Sequence, residues 1–222
     1  MNRTKIEYAD WTWNPIVGCK HGCFYCYGER LNDRFKWIPN WNIPGYYDER
    51  LEDPLKEKTP SRILVGSMCD LLGDWVVTAY IQYIIDVTGK CPHHTFLFLT
   101  KNPKRYQEFE FPENCWLGMT VSSYCPAFGV FHPFYSRNQE NKKWISFEPL
   151  LYDPYPLLED FVFKPCDWIV IGAMTGRYRK DYPVKKEWIE KILMQADKWS
   201  IPVFMKDNLN PYWDEEWRSE LP

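Results

Sequence analysis

The sequence predicts an α/β fold: an incomplete parallel barrel of six or seven strands, formed by one domain over residues 1–222. Two observations carry this. Short apolar runs recur at residues 63–66, 95–100, 116–121, 144–147 and 168–172, and continuous runs of that length read as buried parallel strands. Helical or looped stretches separate them, as in a parallel sheet built with crossovers.

Each element follows from local pattern. Residues 11–14 alternate apolar and polar and read as the first strand, which Pro15 ends. Residues 26–36, with Glu29, Arg30, Leu31 and Phe35, read as a short helix. Residues 37–62 are rich in Pro, Trp and Tyr and read as a loop with one turn near 49–55. The strand at 63–66 is followed by Asp74, a residue type that caps helices. Val77, Ile81, Ile84 and Val87 then recur at helical spacing, and Gly89 is the expected stop. After the strands at 95–100, 116–121, 144–147 and 168–172 comes a helix over 184–199, with Ile189, Ile192, Leu193 and Ala196 on one face. Residues 202–205 are the candidate seventh strand. Residues 122–142 hold no helical period, so an ordered loop is expected to replace that crossover helix.

The 222 residues suffice for one domain with a substantial core. Net charge is −3, which excludes a global basic field for nucleic acid but not a local patch. Aromatic residues make up 18%, with 12 Trp and 15 Tyr, enough for a ring-lined pocket or a ring-rich core. The N-terminus carries no apolar signal segment and no run approaches a membrane span, so a cytoplasmic protein with no membrane partner is expected. In that compartment thiols stay reduced, and the 8 cysteines read as metal ligands or buried thiols. Cys69, Cys91, Cys115, Cys125 and Cys166 are scattered and read as small hydrophobes.

Gly18-Cys19-Lys20-His21-Gly22-Cys23-Phe24-Tyr25-Cys26-Tyr27 is the chemically informative stretch. Three thiolates at C-x3-C-x2-C spacing can hold three irons of a four-iron four-sulfur cluster. The open fourth iron could then bind a small molecule. A zinc knuckle or a disulfide cluster is the alternative. Zinc favours four ligands, however, and His21 sits awkwardly between two of the cysteines.

The spacing, with aromatic Tyr25 before the third cysteine, resembles the cluster motif of the radical S-adenosylmethionine (SAM) superfamily. Further stretches resemble uncharacterised radical-SAM-like proteins of bacteriophages and bacteria. They are Trp11-Thr12-Trp13-Asn14-Pro15, Gly66-Ser67-Met68-Cys69-Asp70-Leu71, Leu99-Thr100-Lys101, Trp116-Leu117-Gly118 and Phe147-Glu148-Pro149-Leu150. The stretch from 124 to 141 departs from that family's helix. The resemblance implies a radical-SAM-type partial barrel with a 4Fe-4S cluster on Cys19, Cys23 and Cys26. It further implies SAM on the free iron, reductive cleavage to a 5′-deoxyadenosyl radical, and a reductant such as flavodoxin or ferredoxin.

In a parallel barrel the active site lies at the carboxyl ends of the strands. The polar residues there are the candidates for holding SAM. Gly66, Ser67 and Met68 could offer carbonyls to its ammonium, as strand two does in the superfamily. Thr120, Ser122, Ser123 or Glu148 could bond ribose or ammonium, and Tyr25 and Gly172 could meet adenine. Glu148 reads alternatively as a solvated carboxylate or a structural ion pair, and Gly172-x-x-x-Gly176 reads as a turn. Asp70, Lys101 and Lys206 are the charged candidates for substrate contact, or else surface charges. His21, His93, His94 and His132 form no metal or triad spacing and read as loop or surface residues, with His21 near the cysteine loop.

Rings at Trp37, Trp41, Tyr46 and Tyr47, and at Phe128, Phe131, Phe134 and Tyr135, could flank the rim and stack a base. Lys101, Lys104 and Arg105 could meet phosphates. The expected substrate is therefore a nucleotide or nucleic-acid base. The rival expectation is a non-catalytic nucleic-acid-binding protein with a structural zinc or iron–sulfur site.

Overall fold

The chain is described by a computed structural model over residues 1–122, 138–154 and 166–222. In chain order the strands are β1 (Asn2–Arg3), β2 (Trp11–Trp13), β3 (Ile16–Val17), β4 (Gly45–Tyr46), β5 (Arg62–Val65), β6 (Thr95–Thr100), β7 (Cys115–Thr120), β8 (Lys143–Phe147), β9 (Trp168–Ile171) and β10 (Val203–Met205). Three α-helices lie among the described residues: α1 (Tyr27–Phe35), α2 (Thr78–Gly89) and α3 (Lys186–Lys198).

One eight-stranded sheet runs in the order β1-β2-β5-β6-β7-β8-β9-β10. From β2 to β10 every pairing is parallel; β1 alone is antiparallel. The antiparallel β1 was not expected, nor was the hairpin-like pair of β3 with β4 inside the stretch read as loop. Helix α2 begins at Thr78 with Val77 before it, not at a cap on Asp74. The Asp74 carboxylate instead accepts from Asn102 Nδ2 at 2.7 Å.

Alternation along each strand divides the side chains between two faces. Ile63, Val65, Phe96, Phe98, Leu117, Ile145, Phe147, Ile169 and Ile171 point to one face and pack with Ile81, Ile84, Ile85, Ile189 and Ile192 of the helices. Leu64, Leu97, Trp144, Trp168, Val170 and Phe204 point to the other and form a second cluster around Tyr8. Tyr8 lies between β1 and β2, yet its ring meets Trp144, Trp168 and Phe204 at 5.9, 5.5 and 5.9 Å, edge on. Those residues belong to β8, β9 and β10 at the opposite end of the strand order. The sheet therefore curls until its two ends approach without pairing. The Asp207 N–H donates to Glu7 across the same gap at 2.8 Å.

Cys91, Cys115 and Cys166 are buried, as expected for small apolar thiols. His94 is not a surface residue: it is 1% exposed and its ring meets the Glu57 carbonyl at 3.2 Å. Cys125, His132, Phe128, Phe131, Phe134 and Tyr135 lie outside the described residues. Among the described residues, no helix is long and apolar enough to cross a membrane.

Candidate active site

Parallel strands place all their carboxyl ends on one rim. Asn14, Gly66–Asp70, Lys101, Thr120, Glu148, Gly172–Thr175, Lys206 and Asn208 all line one cavity of about 650 Å³ there. Cys19, Cys23 and Cys26 line the same cavity.

The cysteine loop is held by backbone geometry. Gly18 has φ +110°, and a Cβ there would come within 2.8 Å of the Trp41 carbonyl oxygen, so only glycine fits. Gly18 N–H donates to the Met68 carbonyl at 2.9 Å, and Cys19 N–H to Trp41 at 3.0 Å. Cys26 precedes α1, and its sulfur accepts from the Glu29 N–H at 3.3 Å. Burial pushes the Cys19 thiol up to about 11, although backbone N–H groups of His21 and Asp70 point at its sulfur and oppose the rise. Burial raises the Cys26 thiol as well. Metal ligation is what deprotonates thiols so placed. Among the described residues, no three His, Cys, Asp or Glu side chains gather closely enough to hold a single metal ion. All three thiols line the cavity, and such a donor set could serve a cluster, which offers a separate iron to each thiolate.

Asp70 ties this loop to the strand ends. Its Oδ2 meets His21 Nε2 at 2.6 Å and accepts from the Lys101 N–H at 2.9 Å. Its Oδ1 accepts from Thr100 Oγ1 at 2.7 Å and from the Leu72 N–H at 3.1 Å. Burial pushes the carboxyl up, but the bonds from His21, Thr100 and Lys101 outweigh it and hold it below the usual range. A carboxylate so engaged acts as a strut rather than as a ready substrate contact.

Asn14 is a second strut. It exchanges hydrogen bonds with the Ser67 hydroxyl at 3.1 and 3.2 Å and accepts from the Met68 N–H at 2.9 Å. Among the described residues, the carbonyls of Gly66, Ser67 and Met68 accept from Cys69 N–H, the Tyr27 hydroxyl and Gly18 N–H respectively, one bond each. A carbonyl oxygen can accept twice, so among the described residues each has a second acceptor position to offer.

Tyr25 and Ser122 are brought together: the Tyr25 hydroxyl donates to Ser122 Oγ at 2.5 Å. Lys101 Nζ sits 5.7 Å from the Tyr25 ring centre. Burial lowers the Lys101 ammonium, but Tyr25, Cys23 and Asp70 outweigh it and the net shift is upward. Ser123 lies outside the described residues.

Across the cavity, Glu148 Oε1 lies 3.6 Å from Lys206 Nζ and has no hydrogen-bond partner among the described residues. Burial raises the Glu148 carboxyl and Lys206 opposes the rise. Tyr8 sits beside this pair, with the Lys206 ammonium 5.7 Å from its ring centre. A Cβ on Gly172 would press on Glu148 and Lys206 at 3.1 and 3.2 Å, so glycine lets these side chains close over the backbone.

The sequence matches the model of the family DUF5131, described as a protein of unknown function, over residues 3–216. The chain belongs to that family. No curated protein matches it. Among solved structures the chain is similar to spore photoproduct lyase. A mutant of that lyase with dinucleoside spore photoproduct aligns at a TM-score of 0.66 and 11% identity, covering 92% of this chain and 78% of that one. A second mutant aligns at 0.64 and 10% identity with the same coverage. The lyase complexed with dinucleoside spore photoproduct aligns at 0.58 and 11% identity, again covering 92% and 78%. At such identities the likeness is one of fold.

Several expectations need correction. Arg105 is not available to phosphate: it is 6% exposed and donates to the carbonyls of Gly73 and Val76 and to Thr78 Oγ1. Tyr46 faces away from the cavity, against Tyr80 at 4.7 Å. Tyr47 carries Arg50 over its ring at 3.8 Å, while Trp37 and Trp41 do line the cavity. Cys69 lines it too. Tyr8 went unremarked in the sequence because an isolated aromatic residue carries no periodic signal.

Proposed function

We propose that this protein is a radical SAM enzyme on an incomplete parallel barrel. Cys19, Cys23 and Cys26 would hold a 4Fe-4S cluster, with SAM on its free iron. The observation that carries the reading is the C-x3-C-x2-C set lining a cavity at the carboxyl ends of the parallel strands. The likeness in fold to spore photoproduct lyase, a radical SAM enzyme, supports it. Held there and supplied with an electron, cluster and SAM would provide radical chemistry that removes hydrogen from a substrate.

The chain's own residues bind and orient. The spare acceptor positions on Gly66, Ser67 and Met68 suit the ammonium of SAM. Tyr25, its hydroxyl anchored on Ser122, offers a ring to adenine, with Thr120 and Gly172 on the adjoining walls. Glu148 Oε1, which has no hydrogen-bond partner among the described residues but lies 3.6 Å from Lys206 Nζ, could accept from a ligand N–H or O–H, and Lys101 and Lys206 would face the substrate side.

The proposed substrate is a nucleotide or nucleic-acid base. Trp37, 46% exposed with one ring face stacked on Phe35, lines the cavity and could stack a base, whereas Trp41 is packed with Val17, Ile38 and Met68; two of the lyase structures similar in fold hold a dinucleoside photoproduct. A flavodoxin or ferredoxin in the cytoplasm is the proposed reductant.

Anaerobic reconstitution tests the reading. The brown protein should contain four irons and four sulfides per chain, and with dithionite and SAM it should release 5′-deoxyadenosine. Cys19→Ala, Cys23→Ala and Cys26→Ala should each lose the cluster, while Cys91→Ala keeps it. A colourless protein holding one zinc through these cysteines would replace this reading with the structural-metal one.

A further inference from the structure

We propose that the outer rim of the cavity is a docking surface for single-stranded nucleic acid. Arg177, Arg179 and Lys180 would meet its phosphates, and the rings of Phe24 and Tyr182 would meet its bases.

The chain as a whole is acidic, at −3, yet three cations fall within four residues here, next to the single carboxylate Asp181. All three cationic residues are exposed. None is paired with a carboxylate among the described residues; Arg177 instead donates to the Tyr178 hydroxyl at 2.8 Å and covers that ring at 4.6 Å.

Their position is fixed by packing. Met174 and Thr175 line the cavity, and the basic residues follow directly after them in the chain. Asn208 clamps the start of this segment by exchanging bonds with Ala173 at 2.9 and 3.0 Å. The Arg30 guanidinium of α1 lies so close over Gly176 (φ +71°) that a Cβ would meet its Nη1 at 2.3 Å. Phe24, between the second and third cysteines, packs against Tyr178 and Tyr182 with ring centres 5.3 and 5.0 Å away. The basic segment is thus fastened to the cysteine loop itself.

Phe24 and Tyr182 remain 43% and 37% exposed beside these cations. Cations alone would suit any polyanion. Cations interleaved with exposed rings match a strand whose phosphates are regularly spaced and whose base faces are free to stack. In a duplex those faces are already stacked, so the surface selects a single strand. For what the cavity does to a bound base, this inference rests on the proposed function; for binding itself it does not.

The test uses the full chain, loaded with cluster, and a fluorescein-labelled oligothymidylate, read by anisotropy across a salt series. Replacing Arg177, Arg179 and Lys180 together by alanine should weaken binding at least about tenfold and flatten the log–log salt slope by about 2, since each phosphate contact on a single strand contributes about 0.7. Arg177→Lys with Arg179→Lys should keep the slope. Tyr182→Ala should weaken binding with the slope unchanged. Cluster content and any SAM cleavage in the absence of nucleic acid should be unaffected in all of these. Binding equal to the parent in the triple variant would overturn the proposal. So would equal affinity for duplex DNA or for polyglutamate. A chain that binds the strand but never acquires a cluster would sink the enzymatic reading and leave this one standing. A chain that makes 5′-deoxyadenosine but ignores the oligonucleotide would do the reverse.

Discussion

Asp70 receives bonds from four groups on three segments: the cysteine loop, the turn after β5 and the end of β6. Removing the carboxylate strands buried donors, at about 1–3 kcal/mol each when no water reaches them. Asp70→Ala should therefore cost about 3 kcal/mol in urea unfolding at neutral pH; a loss under about 1 kcal/mol would show that the strut is dispensable. Lys143 on β8 is the opposite case, a 3%-exposed cation whose Nζ donates to the Asn141 carbonyl at 2.8 Å. Burial pulls its ammonium down to about 8, against the partial compensation of Asp167. Between that value and the ordinary lysine value of about 10.4, the unfolded chain binds more protons than the folded one, so this group makes stability rise with pH there. Below that window its burial penalty is present in full. The stability of the parent relative to Lys143→Met should accordingly improve from pH 8 to pH 10. A difference that stays flat across that interval would contradict the shift.

At the scale of elements, β7 and β8 depend on one missing side chain. A Cβ on Gly118 would lie 2.3 Å from Cε2 of Trp144 and 2.6 Å from the Phe98 carbonyl oxygen. The Tyr106 hydroxyl also donates to the Gly118 carbonyl at 2.9 Å. The indole and the backbone are both hemmed in, so Gly118→Ala should destabilise by about 3 kcal/mol, the upper end for overpacking. Far-UV signal against urea reads this directly, and a midpoint matching the parent would mean that the strand can shift. The same tryptophan forms part of the cluster around Tyr8, so disturbance at β7 should reach the cavity floor.

For the whole molecule the sheet is open, and its edges need cover. The last strand, β10, is covered by the chain beyond it. Met205 N–H donates to Arg218 at 2.9 Å, and Glu220 N–H to Val203 at 3.0 Å. Phe204 pairs antiparallel with Ser219, and the Trp168 indole donates to the Glu220 carbonyl at 2.9 Å. Deleting residues 216–222 should expose this edge. The expected result is a lower melting temperature and concentration-dependent aggregation by light scattering. A truncated chain that stays monodisperse with an unchanged melting point would show that the edge needs no cover.

The apolar runs determine the strands by themselves, because a strand buried on both faces has no room for polar residues. Residues 95–100 and 144–147 fall where β6 and β8 form. The cysteine motif is legible for the same local reason: three thiols and two glycines within nine residues need no tertiary partner to be recognised. Other features depended on the folded geometry. Asp70 read as a candidate substrate contact or a surface charge, and only the folding of the cysteine loop onto β5 and β6 shows it bonded to His21 and the Lys101 N–H. Arg105 read as a phosphate ligand, and only the turn before α2 shows its guanidinium consumed by carbonyls. Tyr8 carried no signal, since its partners lie 136 or more residues away, at Trp144, Trp168 and Phe204. Periodicity reports which face a side chain takes on its own element. Which distant element meets that face depends on how far the sheet curls, and here the curl decides both the cavity and the residues left free to serve it.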